Sequence, residues 1–259
     1  MRLLYKLITC TTLFTSSIFA QKLEVKYQEL MIVDKDDFKK SMKFESSTSS
    51  KLPSGFEDQV YKSMTEPKDY LLTIFDNESY YKKEEKISNN QSTGGFSISF
   101  STSGAGEGLY KNIETKQYIT NVSSFDKAFT IKDQLKNYDW KLSRETKKIL
   151  GFDAKKATAT VDSTTIVAWY APSLAVKNGP GKYDGLPGLI LETESQDSKD
   201  KMNGKTVIRV IEVKEVPDLK KIDKPKEKNV VTNDEFKKVM DAQSEKFKKM
   251  RSEGVDRKD

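Results

Sequence analysis

Two spacings in this chain of 259 residues are of a kind that could do chemistry. Glu192 and Glu194 stand two apart in Leu189-Ile190-Leu191-Glu192-Thr193-Glu194, an apolar run that reads as a strand. Residues i and i+2 of a strand share a face, and two carboxylates at a set separation are what a glycosidase needs. Ser124-Phe125-Asp126-Lys127 and Ser198-Lys199-Asp200-Lys201 have the serine–lysine spacing of some hydrolases. Each has a plainer explanation. Alternating acids on a strand are normally a solvated face, and a chain with 40 lysines generates serine–lysine pairs by chance. The motifs that accompany a serine–lysine hydrolase are missing, so no catalytic residue is assigned. Gly104-Ala105-Gly106-Glu107-Gly108-Leu109 departs from the GxGxxG phosphate-binding pattern and reads as a loop.

Histidine is absent, and the one cysteine is Cys10. Without histidine there is no Ser-His-Asp triad, no Cys-His pair and no zinc or haem site of the usual kind. No cofactor and no metal are expected, and the chain is read as a non-enzyme.

The first residues read as an address. Met1 to Lys6 carries positive charge, Leu7 to Phe19 is mostly apolar or small, and Ser17-Ile18-Phe19-Ala20 precedes Gln21. This is the layout of a secretory signal peptide over 1–20, cleaved between Ala20 and Gln21. Cys10 is preceded by too little apolar sequence for a lipoprotein site. No later stretch is long and apolar enough to suggest a transmembrane segment in the mature chain. Removing Arg2 and Lys6 from the 45 basic residues leaves 43 against 39 acidic ones, or +4. The lysines are interleaved with acids, which indicates a solvated surface and no nucleic-acid partner.

The elements that would have to position any site are mostly strands. Leu23 to Ile32 begins with period-two alternation, and Thr206 to Val213 is the most strand-like segment. Asp76-Asn77 and Asp162-Ser163 each sit between two strand-like runs, as hairpin turns do. Further strands are expected over Phe96 to Phe100, Tyr110 to Val122, Ala128 to Ile131 and, three or four of them, between Asp139 and Pro172. Ser46 to Lys51 reads as a polar loop. Consecutive strands with short turns predict a mainly β, α+β chain built on a single curved antiparallel sheet. Residues 21–216 form the β-rich domain and 217–231 a Lys/Pro linker. A C-terminal amphipathic helix over 232–252 packs on the sheet, with a capping box at Thr232 to Glu235. The order of parts is analogous to the half-barrels of periplasmic lipoprotein carriers.

One stretch is unlike the rest. Gly179-Pro180-Gly181-Lys182-Tyr183-Asp184-Gly185-Leu186-Pro187-Gly188 packs glycine and proline ahead of the apolar Leu189-Ile190-Leu191. Glycine takes positive φ freely and proline fixes φ, so Pro187-Gly188 suits the centre of a type II turn and the stretch reads as a structural corner.

Gly185-Leu186-Pro187-Gly188-Leu189-Ile190 resembles the signature of the GLPGLI family of exported Bacteroidota proteins. Trp140, Glu145 to Phe152, Lys156-Ala157-Thr158, Ala168-Trp169-Tyr170-Ala171-Pro172 and Gly179-Pro180 resemble its other blocks in order. The resemblance implies a cell-envelope location and little chemistry, and with the signal peptide the expected place is the periplasm or the outer membrane, with an extracellular one left open. A cysteine common in the family after Gly151-Phe152 is replaced here by Asp153-Ala154-Lys155, so a thiol role at that position is lost. The expected function is a non-catalytic binding or interaction module acting with an outer-membrane partner. Alternatives are a periplasmic carrier of an apolar ligand, lipid or lipopeptide, and more weakly a hydrolase. Trp140, Trp169 and Tyr170 are read as ordinary filled core.

Overall fold

Alternation in the first strand is realised literally: in β1 (Lys22–Ile32), Leu23, Val25, Tyr27 and Glu29 are buried while the residues between them are not. The computed structural model describes residues 22–45, 55–84, 108–124 and 127–253. The expected signal peptide with its Ala20–Gln21 cleavage point, the Ser46 to Lys51 loop, the Phe96 to Phe100 strand and most of the Gly104 to Leu109 loop lie outside them.

After β1 come two short helices, α1 (Lys35–Glu45) and α2 (Phe56–Thr65). Asp34 starts α1 by accepting from the N–H of Asp36 and Asp37. Neither helix is expected from the sequence. Each offers little apolar stripe, chiefly Phe38 and Met42 on one and Val60 and Met64 on the other, and the pair is stabilised by packing together under Val33.

Strands β2 (Lys68–Phe75), β3 (Glu78–Lys83), β4 (Leu109–Asn112), β5 (Gln117–Ser124) and β6 (Lys127–Gln134) then form a meander. A second meander follows: β7 (Lys141–Ile149), β8 (Phe152–Val161), β9 (Thr164–Ala171), β10 (Leu189–Asp197) and β11 (Lys205–Glu215). The expected turns sit where the pairing requires them, with Phe75 opposite Glu78 and Val161 opposite Thr164. The Tyr110 to Val122 stretch is two strands, because Asn112 accepts from the N–H of Glu114 and Thr115 and turns the chain.

Strand order is β12-β6-β5-β4-β3-β2-β1-β11-β10-β9-β8-β7, where β12 is Val230–Val231. β1 is the spine, paired with β2 on one side and β11 on the other. All pairings are antiparallel except the two-residue parallel pairing of β12 with β6. This short strand lies inside the stretch read as a linker.

Chain length forces the sheet to curve. β6 and β7 lie ten strand positions apart, about 48 Å if the sheet were flat. Only residues 135–140 join them, and that connection reaches at most about 25 Å. The open sheet therefore curls until its two halves approach each other, and the 135–140 connection spans its concave side. The main core lies within this curve, built from Leu23, Val25, Tyr27, Leu72, Ile74, Tyr81, Leu109 and Ile208. The closing helix, α3 (Asn233–Glu253), has its capping box formed by Thr232 and Glu235. It rests on β6, with Phe236 edge-on to Phe129 at 5.5 Å.

Candidate functional site

The connection between β9 and β10, residues 172–188, carries the glycine- and proline-rich stretch. Gly188 begins its return to the sheet. The turn differs from the type II turn expected for Pro187-Gly188. Gly188 donates its N–H to the Leu186 carbonyl, a three-residue turn about Pro187, and Leu189 donates to Leu174 instead. At φ 151° Gly188 lies against Ala171, and a Cβ there would run into the Ala171 carbonyl oxygen. Gly179 is needed for closeness: a Cβ would come 2.8 Å from Ile190.

Two anchors hold this loop against the opposite half of the sheet, and a third ties it to the 135–140 connection. Lys111, on β4 and fully buried, donates from Nζ to the carbonyls of Gly179 at 2.7 Å and Tyr183 at 3.0 Å. Burial pulls the Lys111 ammonium down to about 7, against the opposing pull of Asp184. Lys116 in the β4–β5 turn donates to Asp184 at 2.8 Å, and Asp184 is buried. Trp140 donates from Nε1 to the Asp184 carbonyl at 2.9 Å. Asn178 braces the loop from inside, accepting from the Gly179 N–H through its side chain and from the Ile190 N–H through its carbonyl.

Between loop and sheet lies a cleft of about 250 Å³. Its floor comes from adjacent strands: Val161, Thr164 and Ile166, then Ser195, then Thr206 and Ile208. Ile166, Ser195 and Thr206 are successive cross-strand partners, so their side chains share a face. The walls are Lys136 and Tyr138 from the 135–140 connection, Asp162, and Gly181, Lys182 and Tyr183 of the loop. Tyr138 lies 5.6 Å from Tyr183 and stacks on Trp140 at 5.2 Å. Burial raises the phenol pKa of Tyr138 and Tyr183, keeping both as neutral hydroxyls. A second lobe of about 370 Å³ shares Thr164, Ser195 and Thr206 with the first and runs to Met31, Asp200 and Met202. The two lobes together are of the size of small-ligand sites, ~300–1,000 Å³.

The residues singled out from sequence divide in two. Gly179, Pro180, Leu186, Leu189 and Ile190 are buried, with Gly185 and Pro187 exposed at the corner. Tyr170 packs with Leu186 and Ile190. Trp169 carries the Lys147 ammonium over its ring at 4.3 Å. Trp140 is half-buried and works as a latch on the loop. Glu192 is paired with Lys147 at 2.8 Å and lies 3.8 Å from Arg209, while Glu194 is paired with Lys205. These acids belong to a ladder of surface charges. Ser124 donates to the Met240 sulfur. Lys111, Lys116, Tyr138, Lys182 and Asp184 carry the loop and cleft without having been picked out. Their one signal is a lysine placed between Tyr110 and Asn112 in a strand whose register points it inward.

The fold and cleft define an open, curved β-sheet module with a loop-roofed groove on its concave side. Residues 58–238 match the family described as N-glycanase peptide, N-terminal domain, and the chain belongs to that family. No curated protein matches the chain. Among solved structures, PNGF-II in space group C2 aligns with a TM-score of 0.51 at 21% identity, over 85% of this chain and 32% of that one. PNGF-II in space group P21 gives 0.45 at 22% identity, over 79% and 29%. A DUF1329 family protein from Desulfovibrio piger gives 0.25 at 9% identity, over 78% and 89%. The likeness to the first is one of fold, and the chain spans about a third of the length of PNGF-II. Among the described residues no helix is long and apolar enough to cross a membrane.

Proposed function

We propose that this protein is an exported, non-catalytic binding module of the cell envelope whose cleft takes a carbohydrate. The observation that carries this reading is the lining of the groove. Hydroxyls of Thr164, Ser195 and Thr206 alternate with the apolar faces of Ile166 and Ile208, under the rings of Tyr138 and Tyr183. A sugar ring presents hydroxyls around its edge and C–H groups on its faces, and a groove of mixed hydroxyl and aromatic character meets both. Lysines and aspartates at the rim favour such a polar ligand over the lipid or lipopeptide of a carrier. A family described by the word N-glycanase is consistent with a glycan-bearing ligand. An outer-membrane partner and the GLPGLI kinship belong to the same proposal, and rest on the sequence blocks quoted above.

The test is calorimetric titration with an N-glycopeptide and with the same peptide stripped of its glycan. Binding of the glycopeptide alone is expected. A Thr164→Val, Thr206→Val double variant, which keeps side-chain shape but removes two hydroxyls, should weaken it while melting at the parent's temperature. No binding of the glycopeptide at millimolar concentration would overturn the reading.

A further inference from the structure

Of the charged groups lining the cleft, Lys182 and Lys199 make no ion pair among the described residues, and Lys199 is exposed to solvent. Asp162 accepts from Lys136 at 2.6 Å. Asp197 accepts from the N–H of Lys199, and Asp200 from those of Met202 and Gly204. Lys182 is different. Its Nζ sits 3.9 Å from the centroid of the Tyr118 ring, and among the described residues no carboxylate lies within ion-pair distance of it. The charged groups that act on it are Asp133 and Lys136. Asp133 is engaged elsewhere, accepting from the N–H of Gln134 and, at 2.9 Å, from the N–H of Asn233 at the start of α3. Lys136 is held by Asp162. Lys182 is thus a half-buried ammonium steadied on an aromatic face, at the wall of a groove, with Asp133 acting on it from beyond ion-pair distance and no carboxylate of the described residues in direct contact with it.

Such an arrangement is costly by itself, since burial removes water from the ammonium and lowers its affinity for the proton. An anionic group entering the groove restores the lost stabilisation, and in a partly desolvated setting a charge-assisted hydrogen bond is about twice as strong as a neutral one. The ring of Tyr118 fixes where the ammonium stands, so little side-chain freedom is lost on pairing.

Building on the carbohydrate reading, we propose that Lys182 makes the cleft selective for acidic glycans. Its ammonium pairs with the carboxylate of a uronic or sialic acid residue while Thr164, Ser195 and Thr206 meet the sugar hydroxyls. The roof of the groove thereby acquires a second role: the loop that closes the fold also carries the residue that reads ligand charge.

The experiment compares a sialylated N-glycopeptide with its enzymatically desialylated counterpart, on the full chain, at low and at physiological salt. The parent protein should bind the sialylated form about tenfold more tightly, and the ratio should shrink as salt rises. Lys182→Gln should bring the ratio to near one, and Lys182→Arg should retain a preference, which a merely structural role for the side chain would not require. A melting scan checks that the variants are folded. Equal affinity for both glycopeptides in the parent, or a preference that survives Lys182→Gln, would overturn the inference while leaving the carbohydrate reading in place. If neither glycopeptide binds, the carbohydrate reading fails and this inference falls with it.

Discussion

Lys111 Nζ lies 2.7 Å from the carbonyl oxygen of Gly179, so a lysine on β4 holds a loop that leaves the sheet at β9. The two residues belong to opposite halves of the curved sheet, and their hydrogen bond ties those halves across the concave side. The cleft exists because this tie holds Gly181 to Tyr183 above the floor strands.

The tie makes stability depend on pH. Lys111 keeps its proton up to ~10.4 in the unfolded chain, but only to about 7 in the fold, because it is buried. Between those values the unfolded state binds more protons, so raising the pH favours folding. The cost of burying the charged amine is fully present below pH 7 and is relieved above it. Urea unfolding between pH 7 and 9 should show stability rising by up to about 1.4 kcal/mol per pH unit. The slope should flatten in Lys111→Met, and an equally steep slope in that variant would assign the effect to another group.

Gly188 should tolerate no side chain. Gly188→Val combines a disfavoured φ of 151° with a clash against the Ala171 carbonyl. A loss of about 3 kcal/mol or more is expected by chemical denaturation. A variant as stable as the parent but defective in binding would move the motif from the scaffold to the site.

Trp140→Phe removes the indole donor to the Asp184 carbonyl and keeps a ring to stack on Tyr138. Stability should fall by about 1 kcal/mol. Amide exchange of residues 178–185 should quicken more than that of β1, because the latch acts on the loop.

Tyr81 offers the opposite sign. Its ring stacks on Tyr70 at 4.8 Å, but its buried hydroxyl has no hydrogen-bond partner among the described residues. Tyr81→Phe should therefore leave stability unchanged or raise it by about 1 kcal/mol. A clear loss in urea unfolding would reveal a partner for the hydroxyl.

Much of the secondary structure is legible locally. Alternation marks β1, a strongly strand-like composition marks β11, Asp76-Asn77 and Asp162-Ser163 mark hairpins, and Thr232 with Glu235 marks the start of α3. Helices α1 and α2 escape because each has too few apolar positions to show a period, and they become stable only when Phe38 meets Val60 and Met64.

By itself, the sequence determined that this is a β-rich chain without histidine, with a glycine- and proline-rich corner at 179–188. Tertiary structure alone decided which strands are neighbours, because period-two patterning says which face is apolar and is silent on partners. β1 pairs with β11 across 173 to 192 positions of sequence, from Ile32 opposite Lys205 to Leu23 opposite Glu215, and the six residues between β6 and β7 then force the sheet to curl. The site follows from that curvature. Composition alone makes Lys111 and Lys182 ordinary surface lysines, and they become an anchor and an ammonium without an ion-pair partner among the described residues only when residues 68 or more positions distant in one case, and a ring on β5 in the other, arrive beside them.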